Sequence, residues 1–181
     1  RFEMFAPCGV AAGMIARCDE NWPVWAAAEG DDAILRPGHR PAWTVHQADR
    51  SRLINAGINL LQSVRIAPKF QASPRTLAQG AAAVSDWRYL SARRLALFVM
   101  TSVERGTRWM LFERNVQSTW TLARAQVEAF LESLYAEGAF VGRTGEESYF
   151  VVCDERINNE EQVRAGRINL AFGFAASKPG E

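Results

Sequence analysis

DWRYLSARRLALFVMTSVERGTRWMLFERNVQSTWTLARAQVEAFLESLYAEG, residues 86–138, is the stretch on which the fold turns. In its first half Ala92, Leu95, Ala96, Val99, Val103 and Met110 recur at helical spacing and fall on one face of a helix. Leu95 to Met100 is apolar without interruption, so that turn is expected to be buried all round. Gly106 costs about 1 kcal/mol against Ala inside a helix and marks either a kink or a break from which Thr107 restarts. In the second half Trp120, Ala123, Val127, Phe130 or Leu131, and Leu134 repeat at steps of three and four. Ser118 or Thr119 can cap this helix, because a short side-chain oxygen accepts an otherwise orphaned backbone N–H. Gly138 stops it by supplying a left-handed residue. The joint, Glu113–Gln117, is short, and two wide apolar faces joined by a short loop predict an antiparallel helical hairpin.

Working outward, the flanks supply small helices and strands. Pro7 suits the first turn of a helix, and Cys8–Arg17 is expected to be a short one, with Gly9 and Gly13 admitting another backbone. Residues 21–41 carry Pro23, Gly30, Pro37, Gly38 and Pro41 and read as a long irregular loop pinned by Trp22 and Trp25. Trp43–His46 is a short strand candidate. Asp49 or Ser51 then caps a helix that Gly57 ends, followed by extended pieces at Ile58–Ile66 and Lys69–Ala72 and a loop over 80–85. After the hairpin, Ala139–Glu147 is a polar loop. Tyr149–Cys153 is the strongest strand signal, β-branched and aromatic throughout. Asn158 or Asn159 caps a helix over Glu160–Ala165 that Gly166 ends. Arg167–Phe174 alternates polar and apolar residues and is expected to pair with Tyr149–Cys153. The fold class is α+β: a small mixed β-sheet packed by two long antiparallel helices, with short extra helices.

The 181 residues fit one domain with a real core. A net charge of +1 gives no global bias toward nucleic acid or an anionic membrane. No apolar run approaches the ~20 residues that cross a bilayer. Arg1 is not a natural start, so the natural N-terminus is expected upstream. Cys8, Cys18 and Cys153 form neither a disulfide framework nor a CxxC pair and read as reduced thiols. His39 and His46 have no metal-ligand neighbours at useful spacing and read as solvated. Asp31-Asp32, Glu146-Glu147 and Glu160-Glu161 are adjacent acids that face different ways, unsuited to acid–base work. Arg93-Arg94 is either a solvated or salt-bridged stripe or a contact surface for an acidic partner. The glycines of residues 8–17 lack the Lys-Ser/Thr of a phosphate loop, and no serine-elbow, HExxH or Walker motif occurs. Six tryptophans read as core or interface anchors. By its chemistry the chain points to an interaction or structural protein rather than an enzyme.

The order and spacing of several motifs add a family. TSVERGTRWMLFERN (101–115), the Trp120 helix, GAFVG (138–142), YFVVCDERINN (149–159), AGRINLAFGFA (165–175) and the KPGE end resemble the C-terminal half of contractile tail sheath proteins of phages and phage-like particles. APCGVAAGMIARCDENWPVW, LINAGINLL and SPRTLA agree in the front half. Arg114 departs from the family, which typically has proline in an FEPN-like turn; that turn is expected to be looser or differently engaged.

The resemblance implies a sheath core domain over 1–181, with the N-terminal arm, outer domains and C-terminal arm strand outside it. It implies a structural subunit that polymerises helically around an inner tail tube and contracts to drive the tube through a cell envelope, without cofactor or metal. Its partners would be neighbouring sheath subunits, the tail tube protein, and baseplate and tail terminator proteins, with no nucleic acid and no direct membrane insertion. Its place would be a virion tail or phage-like particle assembled in the bacterial cytoplasm. Neighbouring subunits would exchange strands, with Tyr149, Val151, Cys153, Arg167, Asn169, Leu170 and Phe172 as the candidate strand residues. Tube contacts would be basic, Arg114 and Arg124 first, Arg164 and Arg167 as the alternative. The competing readings are a small enzyme with a site in the 21–41 loop or at Cys153, and another tail or baseplate component.

Overall fold

A computed structural model describes residues 3–28, 33–35, 38–64, 67–70, 74–77 and 87–177. Asp31-Asp32, the 80–85 loop and the KPGE end lie outside these residues. The chain divides into two compact units, 1–94 with 178–181, and 95–177.

In the first unit, α1 runs Pro7–Asn21 with the proline in its opening turn. It is longer than the sequence suggested. Met14 and Cys18 on its inner face join Ala28 and Ala33 in a small core flanked by Val10, Ile15, Leu35 and Leu61. Gly9 and Gly13 do not admit a neighbouring backbone: a Cβ on either meets nothing within 4 Å. They lie on the helix's outer side, so their spacing records no close approach. Trp22 is exposed and Trp25 half-buried, so the loop is not pinned by two buried indoles. Trp43–Val45 forms no strand; His46 instead sits extended as the N-cap of α2 (Gln47–Asn55), with no side-chain cap from Asp49 or Ser51. β1 (Leu61–Val64) and β2 (Ala67–Phe70) pair antiparallel. The strip Pro74–Thr76 pairs with 88–90, through Thr76 N–H to the Arg88 carbonyl and Leu90 N–H to the Pro74 carbonyl. Asn59 accepts from the Arg75 N–H at 2.7 Å and donates to its carbonyl at 2.8 Å, as a facing strand residue would. Arg94 pairs with Asp19 at 2.5 Å and Arg93 lies over the Trp87 ring at 4.9 Å. Of that arginine pair Arg94 is thus salt-bridged, while Arg93 is stacked on an indole.

α3 (Leu90–Gly106) carries the chain into the second unit. Gly106 marks a break: Thr107 starts a 3-10 turn, Arg108–Phe112, and its hydroxyl donates to the Val103 carbonyl. Leu95, Ala96, Val99 and Val103 are buried as the period requires, but Leu97, Phe98 and Met100 are exposed. The apolar run is longer than the arc of helix that can face the core, so part of it must point out.

α4 spans Gln117–Ala136 and buries Trp120, Ala123, Val127, Leu131 and Leu134. Val116 is its N-cap, without a side-chain bond, and the Thr119 hydroxyl instead donates to the Arg114 carbonyl at 2.7 Å. Gly138 (φ +81°) ends it as expected. Ala139 N–H donates to the Leu134 carbonyl and Gly138 N–H to that of Tyr135, the two-bond closure of a left-handed helix end. Phe98 meets Phe130 (centroids 6.2 Å apart) and Gln126 Nε2 donates to the Gly106 carbonyl. Contacts that advance along α3 retreat along α4, so the hairpin is antiparallel.

α4 lies against β3 (Tyr149–Val152) and α5 (Gly145–Ser148). The expected polar loop thus contains a helical turn. Thr144 accepts from Glu147 N–H while Glu147 reaches back to Arg143 N–H, a T-x-x-E cap. Gly142 is required here, since a Cβ would sit 2.1 Å from the buried Ser148 hydroxyl. β3 pairs antiparallel with β4 (Ala171–Phe174) in the register Tyr149–Phe174 to Val152–Ala171. Asn159 caps α6 (Glu160–Arg164) by accepting from Gln162 N–H. The α+β class and the helical hairpin stand. The sheet is not mixed: among the described residues there are two separate antiparallel pairs. A parallel pair needs a crossover back across the sheet, whereas 153–170 turns the chain round at the end where β3 stopped.

Candidate assembly surface

The expected inter-subunit strand is held from one side only. Ala175 N–H donates to the Ser148 carbonyl at 2.8 Å, one residue beyond the Tyr149–Phe174 pair. Backbone groups alternate sides along a strand, so Ala171, Gly173 and Ala175 turn theirs toward β3, and Phe172 and Phe174 turn theirs away. Past β4 the same inner side continues onto the 139–141 segment: Val141 N–H donates to the Ala175 carbonyl and Ser177 N–H to that of Ala139. The outward N–H and C=O groups of Phe172, Phe174 and Ala176 have no partner among the described residues, which leaves β4 an open edge.

The core side of this strand is packed. Phe140 stacks on Phe174 at 5.0 Å and meets Tyr149 at 6.2 Å, and Val151 and Cys153 are buried. Burial pushes the Cys153 thiol up, opposed by the Asn158 amide, which disfavours the thiolate form. The Tyr149 hydroxyl donates to Glu132 at 2.6 Å; that bond to a carboxylate, with burial second, pushes it up to about 12. On the opposite face Phe150, 57 % exposed, lies over Gly173, where a Cβ would come within 2.4 Å of its ring.

Leu170 and Phe172 are half-buried, and Asn169 is turned inward. Asn169 N–H donates to Asn158 Oδ1 at 2.6 Å, and Asn158 Nδ2 donates to the Asn169 carbonyl at 2.9 Å. Sequence reading offered Asn158 only as an alternative helix cap. Its role depends on a residue eleven positions away, beyond any local spacing rule.

The four candidate arginines separate into two kinds. Arg124 pairs with Glu128 at 2.9 Å and Arg164 with Glu160 at 2.7 Å, each one turn along its own helix. Arg114 and Arg167 are exposed with no ion pair among the described residues. Asn115 joins their two segments: its Nδ2 donates to the Arg167 carbonyl and its Oδ1 accepts from the buried Trp120 indole, both at 2.8 Å. Asn115 therefore ties the turn carrying Arg114 to both segments. Just before it, Leu111 and Phe112 are 79 % and 91 % exposed. Asp154 is chelated by Arg156 at 2.5 Å, which holds its carboxyl below the usual carboxylate range.

The recess bounded by Ile15, Ala28, Pro74, Leu90 and Arg94 holds about 10 Å³, room for about one water. Among the described residues no group of His, Cys, Asp and Glu is placed to hold a metal ion. No described helix is long and apolar enough to cross a membrane.

No family model matches the chain, and no curated protein does. Solved structures do. A chain of the extracellular contractile injection system PVC, from its sheath complex in the contracted state, is 30 % identical at a TM-score of 0.86 over 96 % of this chain. The chain has the fold of a contractile sheath protein. A chain of the anti-feeding prophage (AFP) baseplate, 6-fold symmetrised, is 26 % identical at 0.86 over 97 %, and one from the baseplate in the contracted state 28 % at 0.84 over 97 %. This sheath-like chain spans about half the length of those it matches, 48–49 %.

Proposed function

We propose that this chain is the core domain of a sheath subunit, a structural rather than enzymic component. In this reading it stacks helically around an inner tube, and contraction drives that tube through a target envelope. The observation that carries this is the open β4 edge within a fold shared over nearly its whole length with contractile-particle chains. An unpaired edge is a template for another strand, and here that strand comes from a neighbouring subunit. The particle is a phage tail or a phage-like device, assembled in the bacterial cytoplasm. Baseplate and terminator proteins cap the stack, and the tube meets a basic surface. Arg114 and Arg167, brought together by Asn115, are better suited to it than Arg124 and Arg164, whose charges are already met on their own helices.

The test is a proline pair. The Leu170 N–H faces the open side, so Leu170→Pro in the natural full-length subunit leaves the monomer's circular dichroism unchanged and abolishes sheath assembly seen by electron microscopy. The Asn169 N–H is bonded internally, so Asn169→Pro lowers monomer stability as well. Normal contractile sheath from folded Leu170→Pro protein would refute edge docking at this strand.

A further inference from the structure

Continuing the β3–β4 register two residues past the Val152–Ala171 pair would set Asp154 opposite Asn169. Asp154 is not there as a strand residue: its carbonyl accepts from Ile157 and Asn158 N–H as the chain turns away. The vacant rung is filled by the Asn158 carboxamide, which bonds both backbone groups of Asn169 just as a facing strand residue would. The side chain is 2 % exposed and fully used, since Nδ2 also approaches Cys153 Sγ at 3.8 Å. Asn169 reciprocates with its own Nδ2 on the Ile157 carbonyl at 2.9 Å. Two residues earlier the backbone is held again on alternate groups. Arg167 N–H donates to the Gln162 carbonyl at 2.9 Å, and its carbonyl accepts from Asn115 at 2.8 Å. Residues 167 and 169 are thus fixed from the inside, while the backbone groups of Ile168 and Leu170 between them have no partner among the described residues.

We infer that Asn158 is a positioning residue that lengthens the docking edge. By replacing a ladder rung it holds 167–170 in line with β4, so the open edge has five outward rungs, Ile168, Leu170, Phe172, Phe174 and Ala176, rather than those of β4 and Ala176 alone. The side chains set the chemistry of the strand that fits. Ile168, Leu170, Phe172 and Phe174 are apolar and only half-buried along the edge, while Arg167, Asn169, Ala171, Gly173 and Ala175 alternate with them as polar or small residues. The occupant is an extended segment of a neighbouring copy, about nine residues long at one rung per two residues. It is apolar at every second position on the α4 side and polar or small on the other. This rests on the edge-docking reading above.

Residue-resolved hydrogen exchange on the natural subunit, before and after assembly, separates the two ideas. In wild type, the Ile168, Leu170, Phe172 and Phe174 amides gain protection together on assembly. With Asn158→Ala, Phe172 and Phe174 still gain it, while Asn169 in the monomer and Ile168 and Leu170 in the assembly exchange at least about tenfold faster than in wild type. Unchanged protection at Ile168 and Leu170 in Asn158→Ala assemblies overturns the role of Asn158. No gain at Phe172 and Phe174 in wild type overturns edge docking itself. If Asn158→Ala loses the Gly173 and Ala175 protection of the folded pair, Asn158→Asp is read instead, at Ile168 and Leu170 alone, since it still accepts from Asn169 N–H but cannot donate to its carbonyl.

Discussion

Truncation of α4 at two adjacent residues tests the packing on which the assembly surface rests. Leu131 is 0 % exposed, whereas its neighbour Phe130 is half-buried and meets Phe98 at a centroid distance of 6.2 Å. Leu131→Ala removes three buried carbons, about 2.4 kcal/mol of transfer at ~0.8 kcal/mol each. The cavity term brings the cost to about 3–4 kcal/mol, inside the range seen for fully buried leucines. Phe130→Ala forfeits an aromatic pair of about 1 kcal/mol and burial of part of one ring, roughly 2 kcal/mol in all. The assay is urea unfolding of the 181-residue chain followed by circular dichroism. At a slope near 2 kcal/mol/M, Leu131→Ala lowers the midpoint by about 1.5–2 M and Phe130→Ala by about 1 M. A Leu131→Ala cost under ~0.5 kcal/mol, the range of surface sites, would refute the facing of the helix. So would a larger cost at Phe130 than at Leu131.

Two further outcomes follow from the site. Tyr149 is raised from 10.0 to about 12 by its bond to Glu132, so its contribution is whole below pH 10 and is lost as pH climbs from 10 toward 12. Urea midpoints at pH 9 and 11 should therefore fall less in Tyr149→Phe than in wild type, and an equal fall removes Tyr149 as the cause. Charge reversal of Arg114 and Arg167 to Glu should weaken sheath assembly on the tube at low salt while leaving Arg124→Glu nearer wild type, because exposed charges act through a screened, salt-sensitive field. Equal effects at all three positions would show that net charge, not this pair, matters.

The sequence made legible what one period or one glycine stop decides, together with the Asn159 cap, whereas the caps expected of Asp49 or Ser51 and of Ser118 or Thr119 do not form. The stripe from Trp120 to Leu134 needs only a 3.6-residue repeat, and Gly138 and Asn159 need only their own turns. The facing of Leu95–Met100 is not legible, because an uninterrupted apolar segment has no polar residue to orient it, and burial cannot be assigned to a face that composition does not mark. The pairings Arg124–Glu128 and Arg164–Glu160 appear only in the structure, although four-residue spacing permits them, and they separate the four arginines more sharply than loop position does. The asparagines resist such reading for a physical reason. A carboxamide carries both a donor and an acceptor, as a peptide group does, so it can complete a helix cap, a turn or a strand rung with equal chemistry. Which one it completes is set by the backbone brought beside it. Asn59 facing Arg75 and Asn158 facing Asn169 both end as rungs, while Asn159, one residue along, ends as a cap. Where a β-edge stops therefore depends on side chains that local sequence assigns elsewhere, and one residue outside the strand can continue its inner ladder.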